Sequence, residues 1–399
     1  MKTAYIVDVL RTPIGKYAGT LSSVRPDDLA ACAIRDLIKR NPSLDMSQVE
    51  DVIFGAANQS GEDNRNVARM ALLLAGLPDT AGGVTVNRLC ASGLQAIMNA
   101  SQAISTGNGD VYIAGGVESM SRAPFVYGKS EEPFSRKAEV FDTTLGWRFI
   151  NPALSKLYYP YTMGETAENV AEKWKISREQ QDQFGLASQL KYFKAEEENK
   201  FKEERITVKV QRGKEVIDFT RDEYPRETTL EKLASLRPAF KANGSVTAGN
   251  SSGINDGAAS SLVVSEEALK QFNLKPMARV VSMAVAGVDP AYMGIGPVPA
   301  TKKALQRAGL KVSDLGLIEL NEAFASQCLA TIGELALNPE IVNVNGGAIA
   351  IGHPLGCSGV RITATLLHEM QKRKVRYGLA TMCIGVGQGA AILYENLKI

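Results

Sequence analysis

Four short segments carry the side chains that can do chemistry. "NRLCASG" sets Cys90 between an apolar strand and a helix with an apolar stripe at Leu94, Ile97 and Met98. The first N–H groups of a helix are unpaired and carry partial positive charge, so a thiolate here is expected to be stabilised and nucleophilic. The plainer reading is a small buried hydrophobe, as most free cysteines are. "ATMCIGVGQG" ends a strand in Cys383 and continues through three glycines. Glycine leaves backbone amides open to a ligand, and the Gly385 N–H is placed to donate to an oxyanion; a core cysteine before a glycine-rich turn is the alternative. "IELNEAFASQ" puts Asn321 and Glu322 at a strand end, where α/β sheets face ligands, and Asn321 also suits the N-cap of the helix that follows. "GGAIAIGHPLGCSG" holds His353, one of two histidines in the chain.

The elements around these segments repeat a plan. Runs at 4–10, 51–56, 83–87 and 110–116 read as buried strands with helices at 25–40 and from about 91; runs at 278–287, 315–325, 341–345 and 377–385 with helices at 300–309 and from about 358 repeat the order. Asp27 or Asp28 suits the cap of the helix at 25–40. "VTVN" (84–87) and "VNVN" (342–345) hold matching places, and each leads through glycine and cysteine into a helix. Short, nearly all-apolar strands imply sheets covered on both faces, and two such halves stack into a layered α/β core. If the halves pack with pseudo-symmetry, the Cys90 and His353 loops face each other and imidazole is expected to take the thiol proton; a lone packing histidine is the alternative. Cys357 reads as turn and helix entry, Cys32 and Cys328 as packing, and His368 as a surface or interface residue on an amphipathic helix.

Residues 118–247 depart from the plan. They are rich in charge, as in "EEENKFKEER" (196–205), which reads as a solvated helical face, and include a helical stretch over 166–198. The organisation expected is an N-terminal half of 1–117 with 248–268, an insert of 118–247 and a C-terminal half of 269–399.

Composition excludes several classes. Basic and acidic residues nearly balance, 45 to 43, which argues against nucleic acid or a membrane surface as partner. No stretch approaches the roughly 20 apolar residues of a membrane span. The five cysteines form neither a disulfide framework nor a zinc-spaced cluster, so reduced thiols in a cytoplasmic protein without a metal are expected.

Taken in order, "NRLCASG", "NEAFA", "NVNGGAIAIGHPLGCSG" and "CIGVGQG" closely resemble the thiolase family, and the match runs over essentially the whole chain. The resemblance implies stacked αβαβα layers, an insert that binds coenzyme A as co-substrate with no permanently bound cofactor, and a homodimer or homotetramer acting on acyl-CoA. It implies Cys90 as acyl acceptor and His353 as its base. It implies Cys383 as acid and base at the substrate α-carbon, Asn321 as holder of an oxyanion-hole water, and the Cys90 and Gly385 amides as a second oxyanion hole. Met163, Arg226, Ala239, Phe240, Ala248 and Ser252 fall where the family contacts coenzyme A, with Phe324 near the thioester; at Thr162 many short-chain members carry His. The segments 61–78, 115–126 and 141–152 look most like members that cleave 3-oxoadipyl-CoA to acetyl-CoA and succinyl-CoA in aromatic-compound breakdown. The alternative is a general 3-ketoacyl-CoA or acetoacetyl-CoA thiolase. Arg65, Arg122 and Arg148 are candidates to pair a distal substrate carboxylate, a structural ion pair being the ordinary role of each. A decarboxylating ketoacyl synthase needs a second catalytic histidine where this chain has Cys383, and a non-catalytic acyl-CoA-binding protein has no use for the full set of reactive residues.

Overall fold

The computed structural model describes residues 2–398. Its sheet is built from β1 (Tyr5–Arg11), β2 (Asp51–Gly55), β3 (Gly82–Val86), β4 (Val111–Ser119), β5 (Asn255–Val264), β6 (Ala278–Gly287), β7 (Leu317–Leu320), β8 (Tyr377–Ile384) and β9 (Gln388–Asn396). The strand order is β7-β8-β9-β6-β1-β5-β4-β2-β3. The two halves meet at β1 and β6, which pair antiparallel only at Tyr5–Arg279 and Ile6–Ala278. Outward from that seam each half repeats one pattern, two antiparallel neighbours followed by parallel strands.

Period-two alternation decides which layer each side chain enters. In β4, Tyr112 and Ala114 join a central cluster, while Val111 and Ile113 join an outer one. In β9, Ile392 and Tyr394 turn to the centre, and Ala391 and Leu393 turn outward. The central cluster includes Leu94 and Ile97 of α3 (Ser92–Thr106) and Val360 and Leu367 of α8 (Leu355–Arg373). The outer clusters are closed by α1 (Pro26–Arg40) with α2 (Val67–Ala75), and by α6 (Pro297–Ala308) with α7 (Ala325–Leu335). The layers therefore run helix, sheet, helix, sheet, helix, as the repeated pattern predicts. Each fully buried Leu or Ile of the central helices contributes roughly 1.5–3 kcal/mol. The backbones of α3 and α8 cross closely because glycines face the contact: a Cβ on Gly93 would lie 2.6 Å from the Gly356 carbonyl oxygen, and one on Gly359 would collide with the Leu94 backbone.

Several local expectations are corrected. Residues 341–345 do not form a strand; only a Val342–Ile318 bridge survives. Asn343 has φ +45° and uses its side chain in place of the ladder, accepting from Leu320 N and donating to Leu320 O, both at 2.8 Å. Neither Asp27 nor Asp28 caps α1. Arg25 holds the cap position before Pro26, and Asp27 instead receives the Arg25 guanidinium at 2.9–3.0 Å. The stretch 166–198 is two helices, α4 (Met163–Lys173) and α5 (Arg178–Glu197), because Ser177 opens a capping box with Gln180. The charges at 196–205 are not simply solvated: Glu204 is buried against Arg11 at 2.6 Å, Asp222 holds Arg11 at 2.7 Å, and Arg205 pairs with Glu196 at 2.8 Å. Those ion pairs fasten the segment between β4 and β5 to β1. His368 is buried, with Nε2 3.0 Å from Val9 O, because the face of α8 that carries it lies against β1.

Candidate active site

Cys90 sits on a turn between β3 and α3. Leu89 takes a positive φ of 47°, Ala91 N donates to Arg88 O at 3.1 Å, and Ser92 N donates to Leu89 O at 3.0 Å. Ser92 completes the turn by accepting from Arg88 N at 2.9 Å and donating to Leu89 O at 2.6 Å. The half-buried sulfur faces a cavity of about 240 Å³, whose lining includes Leu89, Glu118, Met163, Leu355 and Gly385. Burial pushes the Cys90 thiol up to about 11, against the pull of the Gly385 and Cys90 amides. This corrects the expectation of a ready thiolate: desolvation outweighs the two N–H donors, so the resting sulfur is protonated and needs a base.

Cys383 ends β8 and packs with Phe324, Ala323 and Met163. Burial first, then the neighbouring Cys90 sulfur, push its thiol well above the usual range. Gly385 follows two residues later, with Leu89 and Met163 against it. The structure thus brings both sulfurs, the Gly385 amide and Met163 to one place.

The His353 loop is clamped from both halves. Before it, Glu322 accepts from Ser188 Oγ at 2.6 Å, Asn343 Nδ2 at 2.9 Å and Ile349 N at 3.1 Å. At the residue itself, Asn255 Oδ1 accepts from His353 N at 2.9 Å. After it, Glu118 accepts from Gly356 N at 2.7 Å while also accepting from Ala57 N and Asn58 N at 2.9 and 3.0 Å. Burial raises the Glu118 carboxyl to about 7 against these three donors. Leu355, two residues beyond His353, lines the cavity with Cys90.

The imidazole is buried, and burial followed by the Arg361 charge hold its pKa down to about 3. Ser358 Oγ lies 2.6 Å from Nδ1 and donates its one hydrogen to Pro354 O at 2.8 Å. With that hydrogen on Pro354 O, Oγ accepts from Nδ1–H, which leaves the lone pair on Nε2. Asn321 Nδ2 is 3.5 and 3.4 Å from the two ring nitrogens, so it lies against the ring rather than on one lone pair. Its Oδ1 accepts from Arg361 Nη2 at 3.3 Å. Asn321 does not cap α7; Phe324 occupies that position. Cys357 is fully buried and pushed up to about 12 by burial, which fits its structural reading.

The residues expected at coenzyme A trace a connected band. The Phe240 ring meets Phe324 edge-on at 6.2 Å and covers Gly164, next to Met163. Ala239 N donates to Val246 O at 2.9 Å, Arg226 Nη2 to Ala248 O at 3.1 Å, and Ser252 N to Ala323 O at 3.0 Å. Thr162 caps α4 through a capping box with Glu165. Sequence reasoning missed Glu118, Asn255, Ser358 and Arg361. Their signal is burial of polar groups, which only the assembled core reveals.

A duplicated five-layer α/β core, with Cys90 and the Gly385 amide on a cavity between its halves and the Cys383 sulfur near Cys90, is the architecture of an acyltransferase. The family models "Thiolase, N-terminal domain" and "Thiolase, C-terminal domain" match residues 4–267 and 274–396. The chain is 56% identical over 401 residues to the 3-oxoadipyl-CoA/3-oxo-5,6-dehydrosuberyl-CoA thiolase of Escherichia coli (strain K12), covering 100% of both chains. It is 54% identical over 400 residues to the beta-ketoadipyl-CoA thiolase of Pseudomonas putida, again covering 100% of both. The solved structure of human mitochondrial 3-ketoacyl-CoA thiolase in complex with CoA superimposes with a TM-score of 0.91 at 40% identity, covering 99% of this chain and 98% of that one. The chain belongs to the thiolase family.

Proposed function

We propose that the protein cleaves 3-oxoadipyl-CoA with coenzyme A to give acetyl-CoA and succinyl-CoA, by way of an acyl-cysteine. The observation that carries the reading is Cys90 on the cavity with the Gly385 amide directed at its sulfur and the buried Cys383 sulfur close by; the relatives that match over their whole length supply the substrate.

His353 Nε2 takes the Cys90 proton, and the sulfur attacks the C3 carbonyl. The amides of Cys90 and Gly385 receive the oxyanion. As the C2–C3 bond breaks, the electron pair becomes the enolate of acetyl-CoA. Its oxygen is met by His353 and a water on Asn321, and Cys383 protonates its carbon. Coenzyme A then gives its thiol proton to the Cys383 sulfur and attacks the succinyl thioester, and His353 returns the first proton to Cys90. The kinetics are ping-pong. Met163, Arg226, Ala239, Phe240, Ala248, Ser252 and Phe324 form the coenzyme A track, within and beside the insert of 118–247.

The protein works as a cytoplasmic homo-oligomer, dimer or tetramer. Free thiols support the compartment. Exposed Phe125, Tyr127, Phe149, Leu157 and Tyr159 on the insert support a covering second copy.

The test is acetyl-CoA release from 3-oxoadipyl-CoA against acetoacetyl-CoA. A higher kcat/KM for the dicarboxylate-derived substrate is expected, and equal or better turnover of acetoacetyl-CoA overturns the assignment.

A further inference from the structure

The acyl chain in this reading ends in a carboxylate, three carbon–carbon bonds beyond the carbonyl carbon that Cys90 attacks. A carboxylate so close to an apolar site binds poorly unless a cation meets it there. The cavity beside Cys90 is lined by two charged residues, Glu118 and Arg148. Glu118 is spoken for by its three amide donors, and its raised pKa of about 7 limits its repulsion of an incoming anion near neutrality. Arg148 is half-buried and, among the described residues, makes no ion pair or side-chain hydrogen bond. An unpaired guanidinium partly withdrawn from water is costly unless something occupies it.

The other two arginine candidates are not free for this task. Arg122 is held by Glu62, with Nη2 2.6 Å from Oε1, and donates to Ser22 O at 3.1 Å. Arg65 does not line the cavity. The segment that leads into Arg148 is fastened at two points. Thr143 is buried, receives Asn58 Nδ2 on its hydroxyl at 2.9 Å and donates to Pro124 O at 2.6 Å. Trp147 Nε1 donates to Tyr161 O at 2.9 Å. A cation on a pinned loop is pre-organised, so less ordering entropy is lost when a ligand arrives.

We infer that Arg148 is the specificity-determining residue of the acyl pocket, receiving the distal carboxylate of a dicarboxylate-derived 3-oxoacyl-CoA. The inference rests on the proposed 3-oxoadipyl-CoA reading and deepens it. Guanidinium and carboxylate match as a planar two-bond fork, which lysine cannot reproduce.

The test compares 3-oxoadipyl-CoA with 3-oxohexanoyl-CoA, which has the same chain length with a methyl in place of the carboxylate. In wild type the first is expected to have the higher kcat/KM. In Arg148→Gln the ratio of the two kcat/KM values is expected to fall on the order of 10–100-fold, the range for a lost hydrogen bond to a charged group. Arg148→Lys should recover part of the ratio. If both substrates decline together in Arg148→Gln and the ratio holds, Arg148 is structural and the inference is overturned while the 3-oxoadipyl-CoA reading stands. If wild type shows no preference between the two, that reading itself fails and the inference with it.

Discussion

The two strand-to-helix turns of the duplicated core hold equivalent places and do opposite things with their polar residue. The first, around Cys90, leaves a genuine strand and reaches α3 in a few residues, with one strained position at Leu89. It leaves sulfur at the edge of a cavity. The second has lost its strand to the Asn343 side chain and needs a longer path, with positive φ at Asn343, Gly346 and Gly352. It buries its imidazole and holds it by Ser358, Asn255 and two glutamates. Duplication supplies the placement, and divergence supplies the chemistry. A nucleophile must meet substrate, so its turn stays short and open. A base must present one nitrogen in one tautomer, so its loop is longer and held at several points by buried side chains.

The comparison is broken most severely at the open turn. Cys90→Ser is expected to lower kcat on the order of 10⁴-fold or more, the scale of losing a nucleophile. Cys357→Ser, at the buried sulfur of the other turn, is expected to act on stability by roughly 1–3 kcal/mol, because it buries a hydroxyl. Thiolysis rates and thermal melts of the two variants check this; near-normal turnover by Cys90→Ser would remove the nucleophile assignment.

His353→Gln is expected to reduce kcat roughly 10²–10⁴-fold, the range for general acid–base catalysis. The same variant reports on burial. The folded imidazole sits near 3, below its ordinary value of 6.5, so the unfolded chain takes up the proton first as pH falls. This contribution to stability is complete above about pH 6.5 and is lost between there and 3. Denaturant melts from pH 7 to 4 should show a steeper loss in wild type than in His353→Gln; parallel slopes would mean that the ring is not held neutral.

Ser358→Ala removes the acceptor for Nδ1–H and frees the tautomer. A fall in kcat of roughly 10-fold is expected with little change in KM for coenzyme A, and Ser358→Thr should restore most of it. A loss confined to KM would argue against a role through the imidazole. Gly359→Ala separates the two helices that carry the turns, at about 1–3 kcal/mol by overpacking. A melting temperature equal to that of wild type would show that the α3–α8 contact tolerates a Cβ.

Much of the site was legible because its motifs are local. Cys90, Cys383 and Asn321 stand at or just after strand ends that periodicity locates, His353 stands in a glycine-rich loop, and the resemblance of their motifs to the thiolase family gave the expected roles; the repeat of strands and helices anticipated the layers. The failures share one cause. Residues 341–345 read as a strand, yet Asn343 satisfies the neighbouring backbone with its amide. His368 read as a surface or interface residue because its helix is amphipathic, yet β1 of the same chain covers it. The Cys90 thiol was expected to fall in pKa from its place before a helix, but desolvation by the assembled core is the larger effect.

The amino-acid order by itself determined which residue types stand at the ends of which strands, because apolar periodicity and glycine placement act over a few neighbours. It also determined that two similar units would have to share a core, since neither buries both faces of its sheet alone. Only the tertiary structure decided the state of the reactive groups and the identity of their supports. Protonation depends first on burial, the largest effect on Cys90, Cys383 and His353 alike, and the support of the His353 loop comes from afar, as Glu118 accepts from Gly356 N. Burial is a property of what packs above a residue, which its own neighbours in sequence do not specify.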